Sequence, residues 1–185
     1  MDIPSIDEIE SSAVWSGNGP ASSTYRYELH HQFPRASERT RDTVMFIMMN
    51  PSYASETQWD NTVRRCAGYA WDWGYQRLLV GNIFAYRTPF PEGGTDKNGA
   101  EWPPIWEADD PVGPDNDKHL RRMLAQSKLV VCAWGNAGQK LGRGDDVRSL
   151  IRETGRTPTA LKVNKTGEPS HPLYLAKSLT PKPYK

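Results

Sequence analysis

The sequence predicts an α/β protein, a three-layer sandwich with a mostly parallel central sheet flanked by helices. Three continuous apolar runs support this, TVMFIMM at 43–49, RLLVGNIF at 77–84 and KLVVCAW at 128–134. Such runs are typical of strands that are covered on both faces. Helical patterns separate the runs, and alternation of strand and helix favours parallel pairing.

The amino-terminal part predicts a loop and then a strand. Residues 1–23 end in SGNGPASS, a loop composition, and we expect this segment to be loosely held. Residues 24–33, TYRYELHHQF, alternate large and polar side chains, which predicts a half-exposed strand at a sheet edge. A chain of 185 residues is typical of one domain, so we expect a single α/β domain at 24–185.

The first predicted helix spans 61–73. Its apolar residues recur every three or four positions, as on one face of a helix. They are Val63, Cys66, Ala67, Ala70 and Trp71. Asp60 is placed to cap the amino terminus of this helix, and Gly74 to end it.

The second half of the chain predicts a long loop and further short elements. The loop is rich in Pro, Gly and Trp and extends to Pro114, and Phe90, Trp102 and Trp106 favour a packed lid. Further helices are predicted at 115–126, 136–141 and 145–154, and a last short strand at 159–163.

Composition limits the classes of function. The formal charge is +1, so a nucleic-acid partner is permitted without being implied. The first ten residues lack the pattern of a signal peptide, and no apolar run is long enough to span a membrane. With two Cys and scattered His, we expect a cytoplasmic protein with no metal site and no cofactor.

Polar or glycine-bearing motifs follow the predicted strands. They are MMNPSYAS, GNIFAYRTP, AWGNAGQK and GEPSHPLYL. The carboxyl ends of parallel strands meet at one edge of a sheet, where ligands bind in α/β proteins. The sequence therefore predicts one polar site at this edge.

Three residues in these motifs are candidates for chemistry, each with a structural alternative. Asn50 precedes Pro51 and either binds a ligand or a water, or only caps its strand. Asp60 is either a general base or an ordinary helix cap. His171 lies between prolines that would hold its imidazole against developing negative charge, although a lone histidine is more often structural.

Other residues are candidates for contacts to phosphate. The turn from Trp134 through Gly135 to Asn136 suits close backbone approach and anions. The basic candidates could instead be solvated surface charges. They are Arg64, Arg65, Arg87, Lys140 and Arg143.

Several motifs carry a resemblance to a known family. They are MMNPSYAS, DNTVRRC, GNIFAYR, AWG and GEPSHPLYL. Through them the chain resembles the domain-of-unknown-function 1643 family from about Tyr25 to the carboxyl end. That family name implies little biochemistry.

The order of these motifs also resembles the uracil-DNA glycosylase superfamily, especially its mismatch-specific branch, and implies a fold of that kind. By this resemblance Asn50 positions a water, Asn82 reads a pyrimidine edge, Phe84 or Tyr53 stacks on the base, and His171 stabilises the departing base. From their places in the motifs, Asp60 is a third catalytic candidate and Trp134 and Gly135 are further base-binding candidates. The phosphate-binding candidates are Ser52, Arg64, Arg65, Arg87 and Ser170. Met48, Met49 and Ser52 depart from the superfamily's small residues, which implies a different pocket shape.

The expected function is that of a DNA base glycosylase, a hydrolase that acts on a pyrimidine-like base, including modified ones, with DNA or a nucleotide as partner. One alternative is a non-catalytic binder of a modified base, nucleotide or nucleic acid. Another is a nucleotide- or base-modifying transferase, in which the loop from Pro89 to Pro114 closes over a second substrate.

Overall fold

One mixed sheet organises the computed structural model, which describes residues 3–34 and 40–185. Its strands are β1 (Glu10–Trp15), β2 (Arg26–Gln32), β3 (Thr40–Met48), β4 (Tyr75–Asn82), β7 (Leu129–Cys132), β8 (Pro158–Ala160) and β9 (Lys182–Pro183). The short strands β5 (Gly94–Thr95) and β6 (Glu101–Trp102) pair with each other in a separate hairpin.

The strand order across the main sheet is β1-β2-β4-β3-β7-β8-β9. The four central strands β4, β3, β7 and β8 are parallel to their neighbours within this group. The outer pairs β1-β2, β2-β4 and β8-β9 are antiparallel. The predicted α/β fold is therefore confirmed in its coarse form, with a parallel centre inside a mixed sheet.

Helices cover both faces of the sheet. Helix α1 (Asn61–Asp72) packs on the face that carries Val44 and Phe46, whereas α2 (Asn116–Gln126) and α3 (Arg143–Glu153) pack on the face of Met45 and Ile47. Helix α2 approaches β4 closely, since a Cβ atom added to Gly81 would lie 2.8 Å from Leu120 Cδ2. The glycine thus permits the close approach of this helix to the sheet.

The helix signals around α1 are confirmed. Asp60 Oδ1 accepts a hydrogen bond of 2.7 Å from the Val63 backbone N–H, as a capping side chain does. Gly74 follows the helix with a φ of +78°, in the left-handed region that favours glycine. The helix carries its apolar face toward the sheet and buries Val63, Cys66 and Ala67.

The expected position of β2 at the sheet edge is wrong. Strand β1 covers its outer side with a register that pairs Ser11 with His31, and β4 lies on its other side. Polar residues of β2 are consequently buried: Arg26 is 3% exposed and Glu28 is fully buried. The alternation of polar side chains indicated water on one face, but loops and α2 cover that face.

The amino-terminal segment also differs from expectation. Residues 1–23 were expected to be loosely held, yet Glu10–Trp15 form β1 and pair along β2. The mixed polarity of ESSAVW predicts neither a buried strand nor a helix, so sequence patterns missed this element. Residues 1 and 2 of the segment lie outside the described residues.

Two predicted elements near the carboxyl end are changed. The helix predicted at 136–141 is a run of 3-10 turns, Gly135–Gly142, with non-helical backbone at Lys140 and a φ of 55° at Leu141. The strand predicted at 159–163 ends at Ala160, and only an isolated bridge between Val163 and Pro169 follows.

The long loop before Pro114 is partly ordered by packing. Its aromatic rings Phe90 and Trp102 lie with centroids 6.2 Å apart, and Ile105 is 1% exposed in the core. This packing agrees with the expected packed loop, while closure over a substrate remains a prediction.

Candidate functional site

A cavity of about 390 Å³ lies where the carboxyl ends of β3, β4 and β7 meet the amino terminus of α1. It brings together seven of the residues singled out in the sequence. They are Asn50, Ser52, Asp60, Asn82, Trp134, Gly135 and His171. The volume falls in the range of small-molecule pockets. We call this space the polar cavity.

Asn50 is held in place by its own amide. Its Nδ2 donates hydrogen bonds of 2.8 Å to the carbonyl oxygens of Pro51 and Thr88. Both protons of the amide nitrogen are therefore committed to the loop, and Oδ1 is left as the acceptor on the cavity side. An oxygen of this kind accepts a hydrogen bond from a water or from a ligand N–H.

Asp60 caps α1 and also lines the polar cavity. Only Oδ1 is used by the cap, through the 2.7 Å bond from Val63 N–H. Within the described residues Oδ2 accepts no hydrogen bond, so one carboxylate oxygen remains for a ligand or a water. The two alternatives drawn from the sequence, cap and functional group, are thus compatible.

Asn82 is the last residue of β4 and is 1% exposed. Neither its Oδ1 nor its Nδ2 has a hydrogen-bond partner among the described residues. A buried amide without partners loses about 1–3 kcal/mol for each unsatisfied group. A partner that enters the polar cavity could supply the missing donor and acceptor.

His171 presents a neutral imidazole to the polar cavity. Burial lowers the pKa of its ring, and the nearby charge of Asp60 opposes this effect. Its Nδ1 accepts a hydrogen bond of 3.4 Å from the Leu173 backbone N–H, which assigns the proton of the neutral ring to Nε2. His171 can therefore donate one hydrogen bond from Nε2 without carrying a charge.

Trp134 forms a fixed wall of the polar cavity. Its indole N–H donates a hydrogen bond of 2.7 Å to Glu168 Oε2, and both residues are buried. Gly138 lies against this pair, and an added Cβ atom there would collide with Trp134 Nε1 and Glu168 Oε2. The motifs AWGNAG and GEPSH are thus joined by a buried contact that the sequence did not predict.

The two candidates for stacking on a base lie outside the polar cavity. Phe84 is fully buried in the core beside Ile83 and Leu120, and its stacking on a base stays a prediction. Tyr53 is 61% exposed and lines a neighbouring cavity of about 630 Å³ that shares Ser52 and Pro89 with the polar cavity.

The predicted phosphate contacts are dispersed. Arg64 and Arg65 line a separate cavity along α1, where Arg65 also donates to the Leu175 carbonyl. Arg87 lines the neighbouring cavity, and its guanidinium donates to the carbonyl oxygens of Ser52 (3.0 Å) and Pro20 (2.6 Å).

Three further candidates are committed to the fold. Arg143 is 4% exposed and donates to the Ile83 carbonyl at 2.8 Å, and its contact to phosphate stays a prediction. Lys140 lies over the Trp106 ring at 4.4 Å. Ser170 is buried and donates to Asn164 Oδ1, and its contact to phosphate likewise stays a prediction.

Sequence reasoning missed several polar residues of the site. Arg26, Thr62, Thr88 and Glu92 line the polar cavity, and Glu168 fixes its tryptophan. The alternating pattern of residues 24–33 does not single out Arg26, and the motif GEPSHPLYL does not single out Glu168. A glutamate beside the histidine of a proline-rich motif was the available signal for Glu168.

Across residues 3–34 and 40–185, no group of three or more His, Cys, Asp or Glu residues is arranged to hold a metal ion. In the same ranges, no helix combines the length and apolar character needed to cross a membrane.

Fold and site together define an α/β protein with a polar ligand cavity at the carboxyl edge of its parallel strands. The chain belongs to the family described as protein of unknown function (DUF1643), whose model matches residues 26–173. Every residue that lines the polar cavity falls within this range. Comparisons with curated proteins and with solved structures gave no match.

Proposed function

We propose that the polar cavity binds a pyrimidine-like base of DNA and that the protein hydrolyses the N-glycosidic bond of that base. The observation that carries this proposal is the buried Asn82 amide, which has an unpaired donor and an unpaired acceptor at the cavity wall. The edge of a pyrimidine presents a complementary donor and acceptor side by side. The resemblance in motif order to the uracil-DNA glycosylase superfamily gives separate support.

The remaining polar groups suit the steps of glycosidic hydrolysis. A water held by Asn50 Oδ1 or by Asp60 would attack the anomeric carbon of the sugar, and its proton would pass to the carboxylate oxygen of Asp60 that the cap does not use. The C–N bond would then break, and the base would leave with the bonding electron pair. The Nε2 proton of His171 would stabilise the negative charge that develops on an oxygen of the departing base.

Release of free base from modified DNA tests the proposal. The substrates are oligonucleotides that contain uracil, hydroxymethylated and other modified pyrimidines, incubated with wild type, Asn50→Ala, His171→Ala and Asn82→Ala. We expect base release by wild type and a loss of about 10²–10³-fold in rate for His171→Ala, the cost of one oxyanion donor. Gln126→Ala, at an exposed position at the end of α2 and outside the polar cavity, is the matched control and should retain full activity.

A second function, binding without catalysis, has one specific observation in its favour. Both protons of the Asn50 amide nitrogen and one oxygen of Asp60 are already used by loop and helix, so each residue has a structural role. Retained binding of a pyrimidine ligand with no base release from any substrate would select this second function. Loss of both binding and release in Asn82→Ala, with release by wild type, would select glycosidic hydrolysis.

A further inference from the structure

Arg26 is a buried cation at the wall of the polar cavity. It is 3% exposed, and within the described part of the chain no carboxylate oxygen lies within the 4.0 Å of an ion pair. One guanidinium nitrogen donates to the Ala54 carbonyl, and Nε has no hydrogen-bond partner among the described residues. A buried guanidinium usually has a paired anion, because burial of an unpaired charge is costly.

The groups around Arg26 leave its positive charge without a carboxylate partner among the described residues. The indole of Trp15 lies 5.9 Å from the Arg26 guanidinium and 5.6 Å from that of Arg87, so two cations share one aromatic ring. Asp60 and Glu56 act on Arg26 only from beyond the distance of an ion pair. Burial lowers the pKa of Arg26 to about 10, so the side chain remains charged at neutral pH.

Arg26 and Asn82 reach the polar cavity from neighbouring strands. The backbone N–H of Arg26 donates to the Ala85 carbonyl at 3.1 Å, three residues beyond Asn82. Both side chains are more than nine-tenths buried, and both carry polar atoms without partners. A ligand that satisfies both must present an amide-like edge to Asn82 and an anionic group to Arg26.

We infer that the natural ligand of the polar cavity is a pyrimidine-like compound with an anionic oxygen group, which Arg26 binds. This inference rests on the proposed base-binding role of the polar cavity and narrows its class of substrate. Guanidinium groups bind carboxylate and phosphate through two parallel N–H donors. The anionic group is therefore either a carboxylate on the ring or the phosphate of a nucleotide.

Titration calorimetry with two matched pairs of ligands tests the inference and distinguishes a carboxylate on the ring from the phosphate of a nucleotide. One pair is uracil and uracil-6-carboxylate, and the other is uridine and uridine 5′-monophosphate. We expect one anionic member to bind wild type about 10–100-fold more tightly than its neutral counterpart, as for a charge-assisted bond to a buried partner. Tighter binding of the anionic ligand in the first pair alone identifies a ring carboxylate. Tighter binding of the anionic ligand in the second pair alone identifies a phosphate.

Variants of Arg26 test whether this side chain causes the tighter binding of the anionic ligand. In Arg26→Gln the anionic and neutral ligands should bind equally, whereas Arg26→Lys should retain part of the preference because it keeps the charge without the two parallel donors. Arg121→Gln removes an exposed cation on α2 and should leave the preference unchanged. If Arg26→Gln does not fold, the ratio of the wild-type affinities for the anionic and the neutral ligand of each pair still shows whether the polar cavity prefers an anion.

The outcomes distinguish this inference from the proposed function. Binding of uracil or uridine that depends on Asn82, with no gain in either anionic ligand, overturns the inference and leaves the base cavity standing. Binding of the anionic ligands and of inorganic phosphate through Arg26, independent of Asn82, supports an anion site and overturns the base cavity. Absence of binding by every ligand overturns both.

Discussion

Buried polar side chains of β2 and β4 fall into two kinds. Glu28 is fully buried and is fully paired, with hydrogen bonds from His30 (2.6 Å), His119 (2.6 Å) and Arg122 (2.9 Å). Arg26 and Asn82 are also buried, but each retains polar atoms without partners at the polar cavity, whereas the unpaired Nε2 of buried His31 lies outside that cavity. The first kind stabilises the fold, and the second indicates where a ligand supplies the missing partners.

Replacement of the paired glutamate should be costly. We expect Glu28→Gln to lower the free energy of unfolding by about 3–5 kcal/mol, the cost of breaking a buried ion pair. The measurement is urea denaturation at pH 7. Glu153→Gln, which breaks the exposed pair with Arg121, is the control and should change the free energy by less than about 1 kcal/mol.

The same residue gives a pH dependence. Burial would raise the pKa of Glu28, but hydrogen bonds from His30, Arg122 and His119 outweigh it and lower the pKa from 4.5 to about 2. The contribution of Glu28 to stability is therefore present above pH 4.5 and is lost as the pH falls toward about 2. Across this range wild type should lose more stability than Glu28→Gln, and parallel curves for the two proteins would contradict the pairing.

Gly138 offers a second test at the residue scale. An added methyl group would collide with Trp134 and Glu168, so Gly138→Ala should lower the free energy of unfolding by about 1–3 kcal/mol. Gly68→Ala is the control, because a Cβ atom there meets nothing within 4 Å and α1 should gain up to about 1 kcal/mol. Thermal unfolding of both variants, with tryptophan fluorescence of the native state, measures the difference.

At the scale of elements, the amino terminus of α1 combines a structural and a functional role. Asp60 ends the loop after β3 and caps the helix with one oxygen, while the helix places the residue at the polar cavity. The positive end of the helix dipole also favours negative charge at this position. A cap and a ligand group can thus share one carboxylate.

Two substitutions separate these roles. Asp60→Asn keeps an oxygen for the Val63 N–H and should change the free energy of unfolding by less than about 0.5 kcal/mol, whereas Asp60→Ala should lose about 1 kcal/mol. If the carboxylate orients the attacking water, both variants should lose base release by about 10²-fold or more. Full activity in Asp60→Asn would confine Asp60 to the capping role.

At the scale of the whole molecule, one sheet joins two apolar layers. Alternate residues of β3 and β4 enter opposite layers, for example Phe46 toward α1 and Met45 toward α2. The polar cavity lies at the carboxyl edge of this shared sheet. Substitutions that disrupt the packing of either apolar layer should therefore disturb the polar cavity.

The expectation of a single domain at 24–185 can be tested through this shared sheet. Leu79 is fully buried in the layer of α2 and α3, and Leu79→Ala should lower the free energy of unfolding by about 2–5 kcal/mol. Far-ultraviolet circular dichroism and tryptophan fluorescence should give coincident denaturation curves in wild type and variant. Two separate transitions would indicate independent domains.

Local signals predicted much of the fold. The apolar runs at β3, β4 and β7, the cap at Asp60 and the helix end at Gly74 each depend on a few neighbouring residues, and the structure contains all of them. The order of motifs after the strands also agrees with the meeting of Asn50, Asn82 and His171 at one edge, whereas other candidates such as Tyr53 and Phe84 lie outside the polar cavity. These features could be predicted because strand ends and helix caps are properties of short segments.

The sequence by itself determined the class of fold, the main strands and helices and the polar edge. Only the tertiary structure decided that β2 is an inner strand, that Phe84 belongs to the core, and that Arg26 lies buried and unpaired at the polar cavity. Periodicity reports which side of an element is apolar, but it does not report which distant segment covers that element. The exclusion of water from Arg26 and Asn82 depends on such distant pairing, and it is this exclusion that makes them candidates for recognition.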